Sequence, residues 1–465
     1  MSQDFVPPRP PVRPKKANLL EHLHGVRSGI GMLLAGSYKD AGVGRHGIPT
    51  LPRGEKRWIY MVRQPELIRE ILVRRAKEFP KSGLMDDMLR SLTGYSIFIS
   101  NGEAWARHRR LMDPAFEGAR IRAVFPMMLQ AVNACAERLA AIQDAARPVA
   151  VDVEMTHYAA DVIFRTIFSE PMDAAGARRF FKAFKVFQEI AYAHGMLKMG
   201  RVPVHLLPGA WRARRAAKVI RAILEGPIRR RLEAVRAGRP TPQDDIMATL
   251  MTTVDPETGT GFDDGELLDQ IAMLFLAGHE TSAAAMSWSF YLLAQCPHVQ
   301  ERVHAEAMAV MGDGPPRFEH MKRLELTRDV FREAMRLYPP VAFLARDATC
   351  PEKLGTKTLD PGSTIFISPW LMQRHEKFWD KPDVFDPDRF ETENGQEGLR
   401  CAYFPFSMGP RVCAGAAFAL QEATLLIAEL VRRYRFTPAP GHVPEPVARL
   451  TLRSANGVPL IVTPR

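Results

Sequence analysis

Apolar positions recur every three to four residues along most of this chain, the period of helices that bury one face. The pattern predicts helices over 65–75, 103–113, 121–146, 151–169, 327–337 and 416–433. Phe180, Phe181, Phe184 and Phe187 form an aromatic face at helical spacing, whose default role is core packing. The longest run begins at Asp263 or Asp264, either of which can cap a helix with Glu266 in the first turn, and stops at Pro297. From Asp264 to Cys296 it spans about 50 Å at 1.5 Å per residue, enough to cross a whole domain. His279 and Glu280 interrupt its apolar centre, which excludes a membrane span. Short strands are expected at 58–62, 364–367, 451–453 and 460–462, and irregular chain over 84–100. The expected fold is mainly α with small β-sheets around that long central helix. It forms one domain over 19–465. A Pro-rich extended segment, 1–18, precedes it and is either free or draped over the body.

Composition narrows the function. The chain has 465 residues, 46% of them hydrophobic, enough for a large core. Its five cysteines (Cys135, Cys296, Cys350, Cys401 and Cys413) are odd in number and include no C-x-x-C pair. That argues against a disulfide framework and a structural zinc site and for a reducing, cytoplasmic setting. The net charge of +11 is dispersed, with no nucleic-acid module, so an acidic protein partner or an anionic membrane surface suits it better than nucleic acid. Residues 196–218, apolar and proline-broken with Lys198, Arg201, Arg212, Arg214, Arg215 and Lys218, read as a peripheral membrane contact.

Two stretches carry chemistry. Phe406-Ser-Met-Gly-Pro-Arg-Val-Cys-Ala-Gly415 places Cys413 just before a helix, where the dipole and free N–H groups stabilise a thiolate. Gly409 lets the backbone turn close to something flat, Phe406 shields the sulfur, and Arg411 suits a carboxylate such as a haem propionate. A soft thiolate suits iron and, as a haem ligand, favours O–O cleavage. The second stretch, Ala277-Gly-His-Glu-Thr281, is the centre of the long helix. There Thr281 can bond back to the Ala277 carbonyl and open the helix locally, and Gly278 makes room for a flat cofactor.

The ten-residue loop resembles the haem-binding signature of the cytochrome P450 superfamily, Phe-x-x-Gly-x-Arg-x-Cys-x-Gly, with every specified position filled through Gly415. Ala277–Thr281 resembles that family's oxygen-activation motif, and the resemblance runs from Trp105 to the last strands. It implies a haem-thiolate monooxygenase with one haem b, Cys413 as the iron ligand, Thr281 bonding dioxygen or its water, and Glu280 feeding protons from solvent. Trp105, Arg109, Arg346 and Arg411 would hold the propionates, beside Ala277 and Gly278. Glu333, Arg336 and Arg389 would form a structural ion network, with Asp388 standing where the family has Glu. Leu84, Met88, Ile97, Phe98, Leu274, Val341 and Phe343 would line the substrate pocket, with 196–218 at its entrance. Arg107 and Arg110 would face outward, towards a redox partner or simply solvent.

The implied reaction is R–H + O₂ + 2e⁻ + 2H⁺ → R–OH + H₂O on a hydrophobic molecule of the steroid, terpenoid or fatty acid class. The sequence carries no N-terminal anchor, flavin fingerprint or iron–sulfur spacing, so a soluble bacterial-type monomer is expected. Electrons would come from NAD(P)H through a separate acidic ferredoxin or flavodoxin and its reductase. Alternatives are a haem-thiolate peroxygenase or isomerase, which usually lacks the acid–alcohol pair, and a non-catalytic haem-binding protein. A cysteine hydrolase lacks a nominated His base.

Overall fold

In the computed structural model, residues 4–10, 43–49, 56–142, 147–199, 207 and 209–465 are described. The helices that position the site are α1 (Gly83–Thr93), α2 (Gly102–Met112), α3 (Gly118–Ile142), α4 (Val151–Phe168), α5 (Ala174–Met199), α6 (Ala210–Arg236), α7 (Asp264–Gln295), α8 (Pro297–Met311), α9 (Glu325–Leu337) and α10 (Ala416–Arg433). The fold is mainly helical, with four small sheets.

Helix α7 is the axis. Its start is fixed by a reciprocal cap: Asp263 Oδ1 accepts from Glu266 N (2.7 Å), and Glu266 Oε2 accepts from Asp263 N (3.1 Å). From Leu267 to Ala294 it is buried almost all round, because α4, α9, α10 and α1 pack against it. Burial on every side explains why the centre carries no amphipathic stripe. The helix runs unbroken through Thr281, so the expected local opening is absent.

The first sheet joins β1 (Val43–Pro49), β2 (Lys56–Val62), β3 (Leu344–Asp347) and β4 (Thr364–Ile367) in the order β1-β2-β4-β3. β2 and β4 run parallel and the other pairs antiparallel. The expected strand at 58–62 and that at 364–367 are adjacent in it. Strands Val149–Ala150, Pro459–Pro464 and Tyr434–Pro438 form a second sheet.

Part of the stretch expected to be irregular, 84–100, is α1. Ser82 caps it by accepting from Leu84 N, and Gly94 ends it with a φ of 54°. Residues 4–10 of the Pro-rich segment lie along the body. Pro7 and Pro10 are buried, Tyr338 donates to the Pro8 carbonyl (2.6 Å), Phe385 N donates to the Phe5 carbonyl (3.0 Å), and Lys381 pairs with Asp4 (2.8 Å). Residues 11–18, and 200–206 and 208 of the expected membrane contact, lie outside the described residues. No described helix is long and apolar enough to cross a membrane.

Glu333, Arg336 and Arg389 meet in the core, all buried. Arg336 donates to both Glu333 oxygens (2.7 and 2.8 Å), and Arg389 Nε donates to Oε1 (2.8 Å). The two guanidiniums spend their remaining donors on backbone carbonyls between Gln373 and Val384, which fixes that otherwise irregular chain. Burial works against the Glu333 carboxylate, yet the two arginines hold its pKa below the ordinary value. Asp388 stands outside this cluster and pairs with Arg302 at the surface (2.7 Å).

Candidate active site

The Cys413 loop is built by its own backbone. Cys413 N donates to the Phe406 carbonyl (3.0 Å), Val412 N to the Gly409 carbonyl (3.0 Å), and α10 starts three residues later. Gly409 has φ 73°, and a Cβ there would lie 2.1 Å from the Leu72 carbonyl oxygen. The close approach to the chain at 72–73 by itself requires glycine there. The Cys413 side chain keeps accessible surface while protein surrounds its sulfur. That desolvation raises its pKa, while the Gly415 N–H, Arg109 and Lys81 work in the opposite direction.

Four cations stand near this loop: Arg109 and Lys81 act on the sulfur itself, and Arg346 and Arg411 act on Lys81. Arg411 stacks its guanidinium 4.4 Å over the Trp105 ring and donates to the Ser100 carbonyl (3.0 Å) and Asn101 Oδ1 (2.8 Å). Arg109 donates to the Val412 carbonyl (2.6 Å) and pairs with Asp113 (2.6 Å). Arg346 is buried in β3, and its Nη1 donates to its own neighbour's carbonyl, Ala345 (3.0 Å). Lys81 forms a backbone bridge with Arg346, and its Nζ donates to the Phe98 carbonyl (2.8 Å). Burial lowers Arg346 to about 10; burial and Arg346 lower Arg411 to about 10. Burial, then Arg346 and Arg411, lower Lys81 well below an ordinary lysine.

Among the described residues no carboxylate pairs with Lys81, Arg346 or Arg411. Desolvated cations left without an anion are costly. A group carrying two carboxylates and a soft-metal centre over Cys413 would meet this donor set, so the residues fit haem. Sequence reasoning missed Lys81, because nothing local in Lys81-Ser82-Gly83 signals it. Only the pairing of residue 81 with β3 brings it beside Arg346.

On α7, Thr281 Oγ donates to the Ala277 carbonyl (2.6 Å), which leaves the hydroxyl oxygen free to accept. Leu274, Ala277, Gly278 and Thr281 are the partly exposed positions in an otherwise buried stretch, and they share one face. Gly278 also meets a neighbouring helix. A Cβ there would lie 2.5 Å from Ile163 Cδ1 of α4, so the glycine admits a neighbouring helix.

Glu280 does not open freely to solvent. Its Oε1 accepts from Thr451 (2.6 Å) and Arg453 Nε (2.8 Å), and its Oε2 accepts from Arg453 Nη2 (2.8 Å). Arg453 is the member of this group that reaches the surface, its side chain 23% exposed. Neither Thr451 nor Arg453 carries a sequence signal, since both lie some 170 residues downstream. His279 is boxed by Phe180, Phe184 and Phe275, and its Nδ1 bonds to the Phe275 carbonyl (2.7 Å). Burial lowers its pKa to about 4, so it is neutral at pH 7.

Of the expected pocket residues, Ile97, Phe98, Leu274, Val341 and Phe343 are half-buried. Leu84 and Met88 are core residues of α1; Met88 fills the space over Gly195 of α5, whose Cβ would lie 2.5 Å from it. Arg107 and Arg110 are not free outward charges. Arg107 pairs with Glu266 (2.7 Å) and Arg110 with the buried Asp255 (2.5 Å), which tie α2 to α7 and to the chain before it.

Glu422 of α10 lies in the core beside this site. It accepts from Ser282 Oγ (3.1 Å), and burial raises its pKa to about 8. A raised carboxyl stabilises the fold fully below its unfolded pKa, and this contribution is lost as pH rises through about 8. Glu422→Gln should therefore gain stability relative to the parent between pH 5 and 9, measured by denaturant midpoints. A constant difference across that range would contradict the assignment.

The comparisons with known proteins show the family. The family model "Cytochrome P450" matches residues 47–459. The chain is 33% identical to cyclooctatin synthase of Streptomyces melanosporofaciens, over 90% of this chain and 89% of that one. It is also 33% identical to cyclooctat-9-en-7-ol 5-monooxygenase of the same organism, over 82% of this chain and 81% of that one. With 11-oxo-beta-amyrin 30-oxidase of Glycyrrhiza uralensis it shares 29% identity, over 86% of this chain and 78% of that one. Among solved structures, the heme domain of a cytochrome P450DA mutant superposes with a TM-score of 0.82 at 24% identity, covering 99% of this chain and 98% of that one. A family model that matches residues 47–459, and relatives 33% identical over 82–90% of the chain, settle its membership: it belongs to the cytochrome P450 family and is a P450 monooxygenase.

Proposed function

We propose that the protein hydroxylates a hydrophobic small molecule, R–H + O₂ + 2e⁻ + 2H⁺ → R–OH + H₂O. Terpenoids are the favoured class, ahead of steroids and fatty acids. The observation that carries the reading is the cation set beside the Cys413 loop: Lys81 and Arg109 act on its sulfur, and Lys81, Arg346 and Arg411 stand together without a carboxylate partner among the described residues. The terpenoid preference rests on relatives named for cyclooctatin-series and amyrin compounds and on the apolar side chains of Ile97, Phe98, Leu274, Val341 and Phe343.

Haem, when bound, would supply dioxygen activation; Cys413 would ligate its iron, and the four cations with Trp105 would hold its propionates. Thr281 Oγ, committed as a donor to Ala277, accepts a proton-bearing water and holds it on the pocket face. Glu280, buried and held by Thr451 and Arg453, relays towards that water a proton that enters past Arg453, the partly exposed member of the group. Electrons come from NAD(P)H through a separate acidic ferredoxin or flavodoxin and its reductase, in a cytoplasmic setting. The docking face is the side of the Cys413 loop, where Val73 and Val412 are exposed next to exposed Arg74 and Lys77.

The test is NADPH-dependent turnover with added ferredoxin and reductase over a panel of terpenoids, steroids and fatty acids, read by product mass. A gain of one oxygen on a panel member is expected. Turnover that needs peroxide and ignores the reductase would overturn the proposal. Thr281→Val should keep substrate affinity within about twofold while lowering the fraction of NADPH electrons that reach product about tenfold. Unchanged coupling would remove Thr281 from its role.

A further inference from the structure

We propose that Asp269, Gln270 and Arg221 form a clasp that holds the loop at 94–98 over the pocket, which makes them positioning residues for substrate selectivity. This rests on the assignment of Ile97 and Phe98 to the substrate side, made above.

The loop begins where α1 ends. At Gly94, with φ 54°, a Cβ would lie 1.9 Å from the Asp269 carboxylate, so the backbone lies directly against α7. Asp269 Oδ2 accepts from Tyr95 N (2.9 Å), and its other oxygen accepts from Arg221 Nη2 of α6 (2.7 Å). Arg221 also donates through Nη1 to the Leu92 carbonyl in the last turn of α1 (3.0 Å). One residue on, the buried Gln270 accepts from Ile97 N through Oε1 (2.9 Å). Two adjacent side chains of α7 therefore take alternate amides of one loop, and an arginine from α6 closes the arrangement.

The other end of the loop is anchored differently. The Phe98 carbonyl accepts from Lys81 (2.8 Å), and Ser100 and Asn101 accept from Arg411. Ile97 and Phe98 thus hang between α7 and the cations beside Cys413. On α7, Leu274, Ala277 and Thr281 follow Gln270 by four, seven and eleven residues, and so stand on its face. A displacement at the clasp must move the side chains opposite them. Asp269 and Arg221 are each about a fifth to a quarter exposed, so their pairing is less screened than a surface contact. Neither the ion pair nor Gln270 touches the candidate propionate sites, so selectivity and haem binding are separable.

The test uses the haem-loaded protein and two readouts. Amide hydrogen exchange in Asp269→Ala and Gln270→Leu should show Tyr95 and Ile97, respectively, losing protection about tenfold, with the remainder of α7 unchanged. Soret titrations with imidazole and 4-phenylimidazole compare a ligand too small to reach the loop with one that reaches it. Affinity for imidazole should stay within about twofold, and that for 4-phenylimidazole should change by about fivefold or more. Retained amide protection together with an unchanged affinity ratio would overturn the clasp. If either variant fails to hold haem, Arg221→Gln decides the question by the same measurements, because it alters only the outer member. A parent protein without haem-thiolate spectra would defeat the functional reading, while the exchange arm would still judge the clasp.

Discussion

Cys413→Ala abolishes oxygenation: turnover should fall by about a thousandfold or more, equivalent to about 4 kcal/mol of lost barrier reduction. Among the described cysteines, Cys413 is the one on whose sulfur Arg109 and Lys81 act. Two other cysteines, Cys135 and Cys296, are buried among apolar side chains, and burial pushes each thiol up to about 12. Cys135→Ala and Cys296→Ala should therefore leave turnover unchanged and serve as controls. The fold should survive Cys413→Ala, because the loop is held by backbone bonds to Phe406 and Gly409 and by the Arg109 contact to Val412, none of which uses the sulfur. Haem binding should weaken but persist, since the four cations remain. The measurement is turnover with a substrate found by the panel, alongside haem content and thermal midpoint. Retained turnover would contradict the assignment of Cys413.

Glu333→Gln should be the most destabilising single change outside the site. It leaves Arg336 and Arg389 charged, buried and without their shared carboxylate. Removing one partner of a buried ion cluster costs about 3–5 kcal/mol, a large part of the roughly 5–15 kcal/mol that holds a folded protein together. The chain from Gln373 to Val384 would lose its organisation, because the two guanidiniums are fixed by Glu333 before they reach those carbonyls. Asp388→Ala, which breaks only a surface pair with Arg302, should cost about 0–1 kcal/mol. Denaturant midpoints of the two variants measure the contrast. Equal midpoints would mean that the buried cluster contributes no more than a surface pair.

What the sequence conveyed depended on whether the physics was local. The Cys413 loop was legible because Phe406, Gly409, Arg411, Cys413 and Gly415 act within ten residues. Helix α7 was legible because a capping box opens it and a proline follows it. The ion cluster was half legible: Glu333 and Arg336 are one turn apart, but Arg389 joins them only through the tertiary fold. Lys81 was invisible, since a bridge to β3 brings it to the site. Arg453 was equally invisible, since a strand near the C-terminus carries it to Glu280. Helix α1 was misread because its Met- and Leu-rich surface resembles a loop until α5 and α7 cover it. Gly278 and Gly409 were legible as positions of close approach, but their protein neighbours, Ile163 and Leu72, come from distant chain and carry no local signal.

The most direct test of the central claim is the absorbance difference spectrum of the dithionite-reduced protein with and without carbon monoxide. The account predicts a strongly red-shifted Soret band, the signature of a thiolate opposite the bound gas, that disappears in Cys413→Ala. An unshifted band, or no haem band at all, would contradict it.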